Sequence, residues 1–80
     1  MPTVMQIGPY RFFFYAGDAA EPPHTHVQRD DSECKFWLEP VRLAWNRGFR
    51  GAELRQIERI TEEHEARLLE VWNEYFDANG

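Results

Sequence analysis

The chain has few of the residues that build several common kinds of site. Its 80 residues contain one cysteine, Cys34, which excludes an internal disulfide and a cysteine-based zinc finger. No apolar run approaches the length of a membrane span. The amino terminus also lacks the basic-then-apolar form of a signal peptide. We therefore expect one cytoplasmic domain over residues 1–80, with no membrane contact.

Positive charge is scarce as well. One lysine and eight arginines stand against 14 acidic residues, for a net charge of −5. RNA-binding surfaces depend on cation–phosphate contacts, so this balance does not favour RNA as a partner. Five of the arginines lie between residues 42 and 59, where only two glutamates offset them. This arginine band is either a solvated surface with i,i+4 ion pairs or a surface that faces an anionic partner.

Most catalytic motifs are missing, whereas aromatic residues are abundant. There is no Gly-rich phosphate loop, no Ser/His/Asp arrangement with a nucleophile elbow, and no paired-carboxylate motif. Six Phe, three Trp and three Tyr make up 15% of the chain. A chain this short buries only roughly 60% of its unfolded surface. Because each ring buries a large area, the aromatic residues partly compensate for a thin core.

The hydrophobic pattern changes its period halfway along the chain. Four strand-like segments come first, at 3–7, 10–15, 24–29 and 33–38. Val41–Trp45 is either a fifth strand or a short helix. From Ala52 to residue 78 apolar residues recur at spacings of three and four, which predicts one long helix or two helices broken near Glu63–Glu65. The fold class is therefore α+β: a small antiparallel sheet of four or five strands, packed by one long or two shorter C-terminal helices.

Side-chain alternation predicts how the third and fourth strands pair. Matching their apolar faces places His26 opposite Lys35 and Gln28 opposite Glu33, with a two-residue Asp30-Asp31 turn. Cys34 then lies on the apolar face, which predicts a buried and inert thiol. The other face carries His24, His26, Lys35 and Trp37, and we expect it to be open to solvent.

The sequence His24-Thr25-His26 is the most distinctive feature of the chain. Two imidazoles at i,i+2 on a strand project to the same side and have pKa values that suit acid–base catalysis. They could cleave a phosphodiester, with Lys35 stabilising the developing charge, Arg11 holding phosphate, and Trp37 or Tyr15 stacking a base. The first alternative is a hydrogen-bonded pair of surface histidines without chemistry.

The second alternative is a metal site. Two histidines are too few ligands, and Glu21 and Glu33 are candidates for a third by proximity only. His64 lies on the apolar helix stripe, where a core or interface histidine is expected instead. We therefore assign no metal and no cofactor from the sequence.

Five motifs extend over nearly the whole chain: Ile7-Gly8-x-Tyr10-Arg11-Phe12-Phe13-Phe14-Tyr15, Glu21-Pro22-Pro23-His24-x-His26-Val27, Lys35-Phe36-Trp37-Leu38, Asn46-Arg47-Gly48-Phe49 and Trp72-Asn73-Glu74-Tyr75-Phe76. Through these motifs the chain resembles a small prokaryotic family catalogued as domain of unknown function 4160. The resemblance implies a gene context in which relatives are encoded beside a second small protein, in pairs that look like toxin–antitoxin modules. The residues that the pattern highlights are Arg11, Glu21, Pro22, Pro23, His24, His26, Asn46, Arg47 and Gly48.

The resemblance implies a component of a two-gene toxin–antitoxin-like module, and the aromatic excess and the apolar helix stripe predict that it acts through protein–protein binding. Its partner would be the small protein encoded nearby, with a homodimer as an alternative, and either the apolar helix stripe or the aromatic sheet would dock it. Candidate binding residues are Arg11, Glu21, Trp37, Asn46 and Arg47. The alternative function is a small metal-independent ribonuclease with His24, His26 and Lys35 as catalytic residues. The sequence does not distinguish toxin from neutralising partner.

Overall fold

A computed structural model describes residues 3–77. Within this range the chain forms one five-stranded antiparallel sheet with strand order β1-β2-β3-β4-β5, followed by two helices. The elements are β1 (Thr3–Ile7), β2 (Tyr10–Phe13), β3 (His24–Arg29), β4 (Ser32–Leu38), β5 (Val41–Arg47), α1 (Gly51–Glu63) and α2 (Glu65–Asp77). The predicted α+β class is confirmed, with five strands and two helices where the sequence left the numbers open.

The sheet is a meander in which each strand pairs with the next along the chain, and tight turns join all neighbouring strands except β2 and β3. Gly8 takes a positive φ of 55° in the turn between β1 and β2, a conformation that glycine adopts without steric cost. The turn after β3 consists of Asp30 and Asp31, as predicted, and Asp30 has a φ of 54°. Aspartate tolerates this left-handed region better than most residues do. Val41–Trp45 belongs to a strand, which continues to Arg47.

The two helices cover the apolar face of the sheet. Phe12, Val27, Cys34 and Phe36 form this face and are at most 1% exposed. Ile57 of α1 and Leu68 of α2 pack against them in one core cluster. Cys34 is buried as predicted, and burial raises the pKa of its thiol to about 12. The apolar residues of the strands and those of the helices thus pack together in a single core.

The helical region is two helices because the chain leaves helical geometry at His64. That residue has a φ of −111° and a ψ of 15°, and its Nδ1 lies 2.9 Å from the Ile60 carbonyl oxygen. Neither Gly nor Pro stands at this position, so no strong helix-breaking residue marks it. Residue 78 of the predicted helical range lies outside the described residues. Neither helix in the part of the chain that the structure describes is long and apolar enough to cross a membrane.

Residues 14–23 connect β2 to β3 and lie over the opposite face of the sheet. Their central part is a short 3₁₀ helix, Ala16–Ala20, which we call the covering segment. The backbone N–H of Glu21 donates to the carbonyl of Asp18 at the end of this segment, at 3.0 Å. The covering segment brings Asp18 to the histidine pair.

Candidate functional site

The strand pairing predicted from alternation is confirmed in register. His26 pairs with Lys35, Gln28 with Glu33, and His24 with Trp37. The two imidazoles lie on the same face of β3, with ring centroids 5.1 Å apart. The His24-Thr25-His26 sequence therefore does bring two imidazoles side by side.

The expectation that this face is open to solvent is wrong. His24 is 0% exposed and His26 is 5% exposed. The ring of Trp72 on α2 lies 4.9 Å from the His24 ring, and the Tyr15 ring lies edge-on to His26 at 4.6 Å. The covering segment and the carboxyl-terminal part of α2 thus enclose a pair that the strand pattern alone leaves uncovered.

Asp18 is the residue on which both imidazoles converge. Its Oδ2 lies 2.9 Å from Nε2 of His24 and 3.2 Å from Nε2 of His26. The same oxygen accepts a hydrogen bond from the backbone N–H of Tyr15 at 2.9 Å, which holds the carboxylate in place. The side chain of Asp18 is 14% exposed, so the carboxylate lies at the outer limit of the cluster.

The other nitrogen of each ring faces a different oxygen. Nδ1 of His24 lies 2.9 Å from the carbonyl oxygen of Pro22, so it carries the proton and donates it to that carbonyl. Nδ1 of His26 lies 3.4 Å from Oε2 of Glu33 without an aligned hydrogen bond. Nε2 of His24 also has no aligned partner among residues 3–77, although Asp18 is near. Two buried ring nitrogens are therefore left unsatisfied, which is uncommon in folded proteins.

The pKa shifts in this cluster have identifiable causes. Burial of Asp18 would by itself raise the pKa of its carboxyl group, but the Tyr15 N–H and the two imidazoles outweigh burial and lower that pKa. Burial lowers the pKa of His26, and the repulsion of a charged His24 acts in the same direction, while the carboxylates of Asp18 and Glu33 oppose both. The cluster favours an ionised Asp18 and a neutral His26.

Lys35 is close to the pair but is occupied by other groups. Its ammonium forms an ion pair with Glu21 and lies 4.5 Å from the centre of the Trp37 ring. The hydrogen bond from Lys35 lowers the pKa of the Glu21 carboxyl group. Trp37 in turn lies edge-on to His24 at 5.6 Å. Glu21, Lys35 and Trp37 are thus brought together with the imidazoles.

The other predicted site residues lie farther from the pair. Arg11 donates to Oε1 of Gln28 at 2.6 Å. Asn46 pairs with Cys34, on the face of the sheet that the helices cover, and exchanges two hydrogen bonds with the backbone of Phe49. Arg47 lies 3.5 Å from Glu33 and has a largely exposed side chain. Asn46 therefore stabilises the turn into α1, whereas Arg47 lies at the margin of the histidine face.

Sequence reasoning missed two residues that contact the pair. Asp18 lies in a connection without hydrophobic periodicity, so no pattern places it over β3. Trp72 lies in the apolar helical pattern and is buried, but its contact with His24 depends on how α2 crosses the sheet. Asp18, His24 and His26 offer ligand atoms that all lie within 4.8 Å of one another, and they are the residues able to hold a metal ion.

A second feature is the exposed edge of the sheet at β5. Among the described residues, β5 pairs only with β4. Leu43 and Trp45, which are 41% and 38% exposed, flank Ala44, where the register shifts. Leu43 pairs with Phe36 of the core face, whereas Trp45 pairs with Lys35 of the histidine face. The edge therefore presents a large apolar side chain on each face of the sheet.

Comparison with known proteins identifies a family. No curated protein and no solved structure matches the chain. A family model described as "Domain of unknown function (DUF4160)" matches residues 10–73. This range includes the covering segment, both histidines and most of α2. The match extends over well more than half of the 80 residues, and the chain therefore belongs to this family.

Proposed function

We propose that the protein is the cytoplasmic component of a prokaryotic, toxin–antitoxin-like two-gene module, and that it binds a small partner protein through strand β5. The observation that carries this proposal is the free edge of β5 with Leu43 and Trp45 exposed on its two faces. An exposed edge strand can receive an additional strand from a partner through backbone hydrogen bonds. The apolar side chains beside that edge would supply pockets and contact area.

The composition of β5 supports binding more than simple solvation. Free edges are normally protected by charges or bulges, and β5 has an irregularity at Ala44 and exposed arginines at positions 42 and 47. Arg47 lies over the Trp45 ring at 6.0 Å, yet Leu43 and Trp45 both remain exposed. Trp and Arg are enriched among the residues that dominate binding energy at protein interfaces. The two arginines favour a partner segment that carries carboxylates.

The helix stripe is less well supported as the docking surface. Its central residues, Ile57, Leu68 and Trp72, are buried inside the domain. Among residues 3–77 the exposed large apolar residues are Tyr15, Leu43 and Trp45, none of which is on a helix. Of the two docking surfaces that the sequence left open, the sheet is therefore favoured.

The ribonuclease alternative is weakened by the surroundings of the histidines. General acid–base catalysis requires the imidazoles to reach the substrate within hydrogen-bond distance. Here both rings are enclosed, and their Nε2 atoms face the carboxylate of Asp18. A phosphate that approached the Nε2 atoms would meet the ionised carboxylate of Asp18, and like charges disfavour this.

Co-purification with the protein encoded by the neighbouring gene tests the binding proposal. Truncation of a central interface tryptophan typically costs about 2 kcal/mol or more, so Trp45→Ala should weaken the complex about 30-fold or more. Leu43→Ala should weaken it as well. Gln6→Ala, on the exposed surface of the opposite edge strand β1, is the matched control and should leave the affinity unchanged. Equal affinities for all the variants and the wild type would refute the assignment of β5.

Two further measurements define the role within the module. Light scattering of the isolated chain shows whether β5 pairs with β5 of a second copy, in which case Trp45→Ala should restore the monomer and the partner-protein proposal fails. Expression of the chain alone and with its gene neighbour, scored by growth, shows which of the two is toxic. Loss of cellular RNA that disappears in a His24→Ala, His26→Ala variant would instead favour the ribonuclease.

A further inference from the structure

The histidine cluster contains an arrangement that hydrogen bonding alone does not explain. Nε2 of His24 and Nδ1 of His26 are buried, and neither has an aligned hydrogen-bond partner among residues 3–77. Buried polar groups in folded proteins are normally hydrogen-bonded. These two nitrogens in adjacent rings are therefore the buried polar atoms of the cluster that a ligand could engage.

The hydrogen bond that His24 makes through Nδ1 indicates what kind of ligand its Nε2 could take. Its Nδ1–H donates to the Pro22 carbonyl, so Nε2 of a neutral ring carries a lone pair. Asp18 Oδ2 lies 2.9 Å from this nitrogen but is not aligned with its ring axis. Oδ2 of Asp18 therefore lies beside the lone pair of His24 Nε2 and not directly in front of it. Two ligands that share one metal ion are arranged in this way.

We infer that Asp18, His24 and His26 form a binding site for one divalent transition-metal ion of the zinc type. The ligand atoms are Oδ2 of Asp18 and Nε2 of each imidazole. Two ligands at about 2.0–2.1 Å from zinc lie about 3.3–3.4 Å apart in a tetrahedral site. The observed separations from Oδ2 are 2.9 and 3.2 Å, and all three ligand atoms lie within 4.8 Å of one another. The two separations from Oδ2 are thus close to those of a tetrahedral site, and side-chain rotation would bring the two Nε2 atoms to the same spacing.

The groups behind the imidazoles fit the same site. Metal-bound histidines normally donate their second ring N–H to a carbonyl or a carboxylate, which orients the ring. Pro22 provides the carbonyl for His24, and Glu33 lies 3.4 Å from Nδ1 of His26. When the ion occupies Nε2 of His26, the ring proton moves to Nδ1 and faces Glu33. The ion would thus bind Nε2 of His24 directly, and it would leave Nδ1 of His26 protonated and facing Glu33.

The chemistry of the ligands determines which ions bind. Imidazole nitrogen suits zinc, nickel, copper and iron, whereas magnesium prefers oxygen ligands. The carboxylate of Asp18 offsets part of the ion's charge. Because the side chain of Asp18 is partly exposed and that of Glu21 is 46% exposed, the ion can enter from the side of the covering segment.

Equilibrium dialysis of the full chain against Zn²⁺, after treatment with a chelator, tests the inference. The wild type should bind one Zn²⁺ per chain and should not bind Mg²⁺. Asp18→Asn, which keeps the shape of the side chain, and His26→Gln should each lose Zn²⁺ binding. Glu33→Gln should weaken it about 10–100-fold, as is typical for groups that orient a ligand. His64→Gln and Asp31→Asn, which remove a histidine and an exposed carboxylate elsewhere, are the matched controls and should bind as the wild type does.

A spectroscopic measurement on the wild type makes the result independent of variant folding. X-ray absorption of the Zn²⁺-loaded chain should show two imidazole ligands and a carboxylate oxygen. Absence of stoichiometric Zn²⁺ binding by the folded wild type would overturn the site. Retention of the full affinity in Asp18→Asn, or loss of binding in His64→Gln, would overturn it too.

Discussion

Replacement of Phe14 tests how the fold closes over the histidine pair. Phe14 follows β2, is 0% exposed, and leads directly into the connection that contains the covering segment. Its ring centroid lies 5.0 Å from that of Trp72, which in turn lies 4.9 Å from that of His24. Phe14 therefore anchors α2 and the start of the covering connection at the same point.

The expected loss is large for a domain of this size. Phe→Ala at a buried position costs about 3–5 kcal/mol, because the transfer energy of the ring is lost and a cavity remains. At roughly 0.05–0.15 kcal/mol per residue, a chain of 80 residues has a total stability of about 4–12 kcal/mol. Phe14→Ala should therefore remove a large part of the free energy of unfolding. Phe14→Leu keeps much of the apolar volume and should cost distinctly less.

Urea unfolding, followed by far-ultraviolet circular dichroism, measures this loss. Phe14→Ala should move the midpoint to lower urea concentration with an unchanged slope, which reports a change in stability alone. Gln56→Ala, at an exposed position of α1, is the control and should change the stability much less. A loss below about 1 kcal/mol for Phe14→Ala would refute the reasoning, because no buried aromatic anchor is that easily replaced.

Three further predictions concern other parts of the fold. The Cys34 thiol should not react with thiol reagents at pH 8 until urea unfolds the chain, because it is buried and its pKa is about 12; rapid reaction of the folded protein would contradict this. Glu53 accepts hydrogen bonds from Arg29 and Tyr10, mainly the former, which lower its pKa. The stabilising effect of the Glu53 carboxylate should therefore be complete above the usual pKa of glutamate and should be lost as pH falls through the lowered value. The thermal midpoints of the wild type and Glu53→Gln should accordingly differ at pH 7 and converge in acid. A difference that stays constant with pH would refute this prediction. Gly48→Ala should destabilise the fold, because φ is 102° and a Cβ would lie 2.6 Å from Ser32 Oγ; Ser32→Gly in addition should recover part of the loss in a urea titration, and equal midpoints for Gly48→Ala and wild type would contradict it.

The pairing of β3 with β4 was predictable because side-chain alternation fixes the parity of the pairing once one face is apolar, and the register that satisfies it leaves a two-residue Asp30-Asp31 turn. Val27 and Cys34 must share the core face, so His26 and Lys35 must share the other. The positive φ of Gly48 was predictable for the same kind of local reason, since the residue follows a strand and precedes a helix. Local sequence patterns predict side-chain placement well in a strand, because each side chain can point to only one of the two faces of the sheet.

The enclosure of the histidines was not predictable in this way. It depends on the path of residues 14–23, which has no periodicity, and on where Trp72 of α2 meets the sheet. Both are long-range packing outcomes. The break at His64 belongs to the same class, because no Gly or Pro marks it and the sequence was compatible with one helix or two.

The central claim is that His24 and His26 are an enclosed pair facing Asp18 and not an open acid–base surface. Diethyl pyrocarbonate labelling of the folded chain, with each histidine followed by mass spectrometry, tests this most directly. Half-buried His64 should be modified first, while His24 and His26 should stay unmodified until denaturant unfolds the domain. Modification of His24 or His26 as fast as that of His64 in the folded protein would contradict the account.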